Sequence, residues 1–169
     1  MSVTSVRPSE TRHRHLDLGA LAVSIALVAV VAIVGGLSTD TGPGTWYSTI
    51  DKPAWTPPGA VFGPVWTALY LAMAIAAWLV WRERRRTDVR LPLGLYVAQL
   101  VVNAAWTAIF FAAERPGWAL VDILVLAILV VVTIVAFRPA SRTAAWLLVP
   151  YLAWVCFAAS VTAGVVALN

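Results

Sequence analysis

Five apolar runs, each about 20 residues or longer, divide this chain and leave little room for anything else. They extend approximately from Leu18 to Leu37, Ala60 to Trp81, Leu91 to Ala113, Gly117 to Phe137 and Ala144 to Leu168. A helix rising ~1.5 Å per residue needs about 20 residues to cover a hydrocarbon core of ~30 Å. The apolar residues run continuously and do not alternate, so the segments read as helices and not as barrel strands. The expected fold class is all-α, an integral membrane bundle of five transmembrane helices. Charged residues make up 12% of the chain, half or less of the share in a soluble protein. With a mean hydropathy of +0.84, soluble enzyme folds are excluded.

The first run follows Arg7, Arg12 and Arg14, as the core of a secretory signal does. Its length and the lack of a clear small-residue cleavage site favour a retained helix. Residues 1–17 are expected to form a solvated N-terminal tail and 18–169 the five-helix domain. Lys and Arg fall ten on one side of the membrane (N-tail, Arg82 to Arg90, Arg138 and Arg142) against two on the other, Lys52 and Arg115. That asymmetry places the N-terminus in the cytoplasm, with the loop 38–59 and the C-terminus opposite. The net charge of +4 is then a topology signal with affinity for anionic lipid, not a nucleic-acid footprint. His13, His15 and the single Cys156 offer neither a disulfide nor a structural zinc site, so no metal is expected.

Nine tryptophans stand at positions 46, 55, 66, 78, 81, 106, 118, 146 and 154. Interfacial anchoring accounts for Trp78, Trp81 and Trp146. Others belong to aromatic stripes: Phe62, Trp66, Leu69, Tyr70 and Met73 on the second segment; Gln99, Asn103, Trp106 and Phe110 on the third; Tyr151, Trp154, Ala158 and Thr162 on the fifth. Core packing is the commoner use of such a stripe. Gln99 and Asn103 shift the balance, because amides in lipid need partners, and either interhelical hydrogen bonds or a ligand would satisfy them. Asp122, the one acidic residue inside the five segments, lies near the start of the fourth, where a structural role is favoured over binding.

The order and spacing of these residues resemble the tryptophan-rich sensory protein family, also called the translocator protein or peripheral benzodiazepine receptor family. The resemblance rests on Trp46-Tyr47, Lys52-Pro53-x-Trp55-x-Pro57-Pro58, Phe62-x-Pro64-Val65-Trp66-x-x-Leu69-Tyr70, Leu93-Gly94-Leu95-Tyr96, Gln99-Leu100-x-x-Asn103-x-x-Trp106, Phe110-Phe111, Gly117-Trp118-Ala119-Leu120-Val121-Asp122 and Pro150-Tyr151-Leu152-Ala153-Trp154. It implies a pocket at one end of a five-helix bundle that binds porphyrins and synthetic isoquinoline or benzodiazepine ligands. By position Trp66, Asn103, Trp106, Phe110, Phe111, Trp118, Trp154 and Ala158 resemble the family's pocket residues, and the stripes add Tyr70, Gln99 and Tyr151. Trp46, Lys52, Pro53, Trp55, Pro57 and Pro58 are expected in the lid. The cholesterol motif proposed for vertebrate members needs a Tyr followed by Lys or Arg near the end of the fifth segment, and this chain has neither there.

A tetrapyrrole needs aromatic faces, apolar walls and a donor or cation for its propionates. Trp66, Trp106 and Trp154 would supply the faces, Asn103 a donor and Lys52 a cation at the mouth. With no histidine in any segment, a metal-free porphyrin or loosely held haem is expected as ligand, and no cofactor is required. Conventional catalytic residues are absent from the pattern. Light-dependent oxidative breakdown of protoporphyrin, which the resemblance also implies for some members, needs only the porphyrin and nearby tryptophans, here Trp66 and Trp154. The readings carried forward are a porphyrin-binding protein for sensing, sequestration or transport, a photo-oxidative activity in the same pocket, and a regulatory or scaffold membrane protein. On a helical wheel Gly94, Ala98, Val101, Ala105, Ala108 and Ala112 lie opposite Asn103. This small-residue face suits either packing against another helix of the same chain or pairing of two copies through the third segment; the bacterial members that the chain resembles form dimers, so pairing is the expectation carried forward.

Overall fold

The structure is a computed structural model; it describes residues 8–169, with side chains from Asp17 onward. Helix α1 spans Pro8–Ser38, α2 Trp46–Thr49, α3 Gly59–Arg82, α4 Arg90–Thr107, α5 Pro116–Phe137, α6 Arg142–Leu147 and α7 Val149–Leu168. Five stretches are long and apolar enough to cross a membrane: Asp17–Ser38, Gly59–Arg82, Arg90–Ala112, Pro116–Phe137 and Arg142–Leu168.

Three details differ from the pattern read off the sequence. The helix α1 begins at Pro8, so residues 8–17 are helical and not an irregular tail; residues 1–7 and the side chains of Arg12, His13, Arg14 and His15 lie outside the described part. The loop 38–59 carries its own short helix, α2. The fifth segment is two helices, broken at Leu148 before Pro150 at the start of α7.

Small residues on α3 (Ala74, Ala76 and Ala77, all buried) bring its backbone close to its neighbours. Around them pack Met73, Val80, Tyr96, Ile123, Leu126, Val130, Phe137, Tyr151 and Val155. The principal pairings are α4 with α5, α1 with α3, and α5 with α7. At the end where α3 meets α4, the Trp78 indole N–H donates to the Asp17 carbonyl at 2.8 Å, and Arg84 pairs with the Asp17 carboxylate at 2.9 Å. Trp78, read from the sequence as an interfacial anchor, therefore clips α3 to α1. Cys156 is exposed on α7, whereas Met73 is fully buried.

At the other end α4 widens into a π-helical turn, Ala108–Ala112, closed by Ala113 N–H to the Ala108 carbonyl at 2.9 Å. Such a turn takes up an extra residue and shifts the phase of the residues C-terminal to it. It sets Phe110 and Phe111 side by side, with ring centroids 4.9 Å apart, at the mouth of the bundle.

Candidate ligand pocket

Helical spacing puts Phe62, Trp66 and Tyr70 on one face of α3, with Trp66 stacked on Tyr70 at 5.2 Å. On α4 and its π turn, Trp106 stacks on Phe110 at 5.3 Å and meets Phe111 edge-on at 6.2 Å. Tyr47 of α2 closes over both phenylalanines, 6.3 Å from Phe110 and 5.3 Å from Phe111. Burial pushes the Tyr47 phenol above its usual pKa, which keeps it protonated.

Between these walls is a cavity of about 330 Å³, lined by Tyr47, Phe62, Trp66, Tyr70, Trp106 and Phe111, and on the α1 side by Ala32, Gly35, Gly36 and Thr39. A smaller space, about 30 Å³, lies behind it among Phe110, Trp154, Phe157, Ala158 and Thr162. The two share Tyr47, Phe62, Trp106 and Phe111, so a partition of aromatic rings separates them. The indole N–H groups of Trp106 and Trp154 are buried without a protein partner among the described residues.

The polar residues of the stripes form a chain just below. The Tyr70 hydroxyl donates to Asn103 Oδ1 at 3.0 Å, Asn103 Nδ2 donates to the Tyr151 oxygen at 3.1 Å, and the Tyr151 hydroxyl donates to Gln99 Oε1 at 2.9 Å. Asn103 thus has both ends of its amide engaged, and the chain ties α3, α4 and α7 together. Gln99, Asn103 and Tyr151 line neither cavity; Tyr70 connects them to the larger one.

The loop reaches across the mouth. Lys52 donates to the carbonyls of Tyr47 and Ile50 at 2.7 and 2.9 Å and lies 4.8 Å from the Tyr47 ring centroid, so its ammonium closes the end of α2. Pro53 is buried against α7, where a Cβ added to Gly164 would stand 2.7 Å from the proline Cγ. The Asn169 side-chain amide pairs with the Asp51 backbone in both directions, accepting from its N–H at 3.1 Å and donating to its carbonyl at 3.0 Å. Trp46 packs edge-on to Phe110 at 5.7 Å. Pro57 is half-buried, and Pro58 precedes the first turn of α3.

Besides Gln99, Asn103 and Tyr151, Trp118 and Trp55 are not brought to the cavities. Trp118 stands at the start of α5 with 69% of its surface exposed, because the buried face of that helix runs through Ala119, Ile123 and Leu126. Trp55 is 57% exposed at the tip of the loop. Both lie outside the walls of either space.

The sequence profile of the TspO/MBR family matches residues 24–168, nearly the whole described chain. The chain belongs to the TspO/MBR family. Among its relatives is the Translocator protein of Homo sapiens, 48% identical over 114 residues, covering 66% of this chain and 68% of that one. The Tryptophan-rich protein TspO of Chlorobaculum tepidum is 38% identical over 150 residues, covering 88% and 95%. That of Archaeoglobus fulgidus is 36% identical over 149 residues, covering 88% and 96%. As a TspO/MBR member the chain is a multi-pass membrane protein.

Sequence reasoning missed the α1 wall and both fasteners of the loop. A Gly-Gly pair inside an apolar helix was the available signal for the wall, since glycine costs helix stability and often marks close packing or open space. Gly164 and Asn169 gave no local signal, because what they touch lies more than a hundred residues away in the chain.

Proposed function

We propose that this membrane protein binds a porphyrin, or a similarly flat hydrophobic molecule, in the aromatic cavity beneath the loop, for sensing, sequestration or transport. The observation that carries the reading is the cavity itself, with the Trp66–Tyr70 stack and the Trp106–Phe110 stack in its aromatic lining and surround. Its volume lies near the lower limit for pockets of drug-sized ligands, roughly 300 to 1,000 Å³. The smaller space behind the partition offers room for more. Unpartnered indole donors can meet a ring nitrogen or a propionate. The name Translocator protein, borne by the human relative, is in keeping with carriage of a ligand. No bound cofactor is required for this role.

The test is a titration of the purified protein with protoporphyrin in darkness. Saturable quenching of tryptophan fluorescence with a shifted porphyrin absorption band is expected; unchanged emission at saturating porphyrin rejects the reading.

A second reading, light-dependent oxidative breakdown of the bound porphyrin, is favoured by the closeness of Trp66 and Trp154, whose ring centroids are 6.5 Å apart. It differs from simple binding in one observable. Under light and oxygen the porphyrin band decays faster with protein than without, and in darkness it persists.

The same proposal places the N-terminus in the cytoplasm, on the charge asymmetry, and pairs two copies through α4. Gly94, Ala98 and Val101 are exposed in the single chain, and a Cβ at Gly94 would meet nothing. Small residues permit close helix approach where lipid gives no hydrophobic drive.

A further inference from the structure

At the end of the bundle remote from the aromatic pocket, a groove of about 460 Å³ opens between the close of α5 and the broken fifth segment. Arg138, just past the end of α5, and Arg142, the first residue of α6, both line it. The turn between them is fixed by its own hydrogen bonds. Ser141 N–H donates to the Phe137 carbonyl at 2.8 Å, and the Ser141 hydroxyl oxygen accepts from Ala144 N–H at 3.2 Å. Two guanidinium groups are thereby carried on one short, ordered segment.

Neither guanidinium has an ion-pair or hydrogen-bond partner among the described residues, whereas Arg84 and Arg86 of the same end are paired with Asp17 and Glu83. The sequence offers them no nearby counter-charge either: from Ile123 to Asn169 there is no Asp or Glu. An anion from outside is the missing complement. Below the arginines the groove is apolar, with Ile134 and Ala145 buried and Val149 at the side, and Trp146 stands exposed at its edge. Charge above, indole at the boundary and aliphatic wall below follow the order of layers in a phospholipid: phosphate, glycerol esters, acyl chain. Basic pockets between membrane helices hold lipid headgroups in this way, and the planar guanidinium fork matches phosphate oxygens.

We propose that this groove is a binding site for an anionic glycerophospholipid, with its phosphate between Arg138 and Arg142 and its glycerol and first acyl carbons against Trp146, Ile134 and Val149. A free phosphate satisfies the arginines but leaves the apolar wall uncovered, so the lipid is the better occupant. The site is independent of the aromatic pocket and of what that pocket binds.

The experiment is native mass spectrometry of the full chain in neutral detergent, titrated separately with phosphatidylglycerol, phosphatidylcholine and soluble glycerol phosphate. Phosphatidylglycerol is expected to stay bound at activation energies that strip phosphatidylcholine, and glycerol phosphate to bind far more weakly. Replacing both arginines (Arg138→Gln with Arg142→Gln) should weaken phosphatidylglycerol binding about thirtyfold, on the basis of about fivefold for each basic residue at an anionic lipid surface. The matched variant Arg86→Gln with Arg90→Gln removes two charges from the same end and should retain wild-type affinity. Equal loss in both double variants would mean diffuse attraction and overturn the site, as would equal retention of the two lipids. Glycerol phosphate binding as tightly as the lipid would also overturn it. Thermal unfolding of each variant confirms that the fold survives, as expected for exposed arginines whose turn is held by backbone and Ser141.

Discussion

Pro53 of the loop and Gly164 of α7 fit together with no room for a single added carbon: a Cβ on the glycine would come within 2.7 Å of the proline Cγ and 3.0 Å of its Cβ. The loop is therefore seated on α7 through a contact that only glycine permits, and Asn169 secures the adjoining Asp51 backbone one turn further on. The position of the loop depends on two residues far from it in sequence.

Gly164→Ala should accordingly displace Pro53 and loosen the loop. A cost of about 1 to 3 kcal/mol is expected, typical of forcing a carbon into a packed site. Faster proteolysis within 46–58 and weaker porphyrin retention would report it. Combining the change with Pro53→Ala removes the opposing ring and should recover part of the loss. Strict additivity of the two changes would show that the contact is not what holds the lid.

Trp66→Phe and Trp154→Phe should each reduce quenching by bound protoporphyrin, and any light-driven loss of its absorption band, with helical circular dichroism unchanged. Trp81→Phe, at the far end of α3, is the control. The cavity is misassigned as the binding site if the control loses quenching and the other two do not.

Tyr151→Phe removes the hydroxyl that accepts from Asn103 and donates to Gln99. Hydrogen bonds between membrane helices are worth about 0.6 kcal/mol on average and up to ~1.7. Loss of two, leaving both amides short of a partner, should lower the thermal midpoint of unfolding in detergent. Porphyrin affinity should change little, since Gln99, Asn103 and Tyr151 line neither space. A large fall in affinity at unchanged stability would move this chain of groups into the ligand site.

Five helical spans were legible because continuous apolar length is a property of each segment alone. Phe62, Trp66 and Tyr70 were legible for the same reason, as a helix fixes which of its own residues share a face. Gln99 and Asn103 share a face with Trp106, yet their partners sit on other helices, with Tyr151 separated from Asn103 by 48 positions, and no local pattern could tell a hydrogen bond from a ligand contact. Trp118 was expected from the resemblance alone, and the buried face of α5, through Ala119, Ile123 and Leu126, leaves its ring outside both spaces. The α1 wall escaped notice since Gly35 and Gly36 contribute space and not side chains.

The orientation is open to labelling. With Cys156→Ser as background, needed because that thiol is exposed, a cysteine placed between Arg82 and Arg90 should resist an impermeant thiol reagent in intact cells, and one between Ser38 and Gly44 should react. The reverse pattern would invert the bundle.

Pairing through α4 predicts that Ala98→Leu, which adds bulk to an exposed position opposite the pocket stripe, converts a dimer to a monomer in detergent while porphyrin still binds. A variant that remains dimeric would remove α4 from the interface.

The residues common to the two spaces, Tyr47, Phe62, Trp106 and Phe111, all carry aromatic rings. Rings rotate about one or two bonds, and a fold need not open for them to do so. If the proposed porphyrin binds here, a small guest would fit the larger space with these rings in place, whereas a macrocycle reaching into the smaller one would have to swing them aside on entering and again on leaving. Discrimination between guests would then reside less in how tightly each is held than in how long each stays.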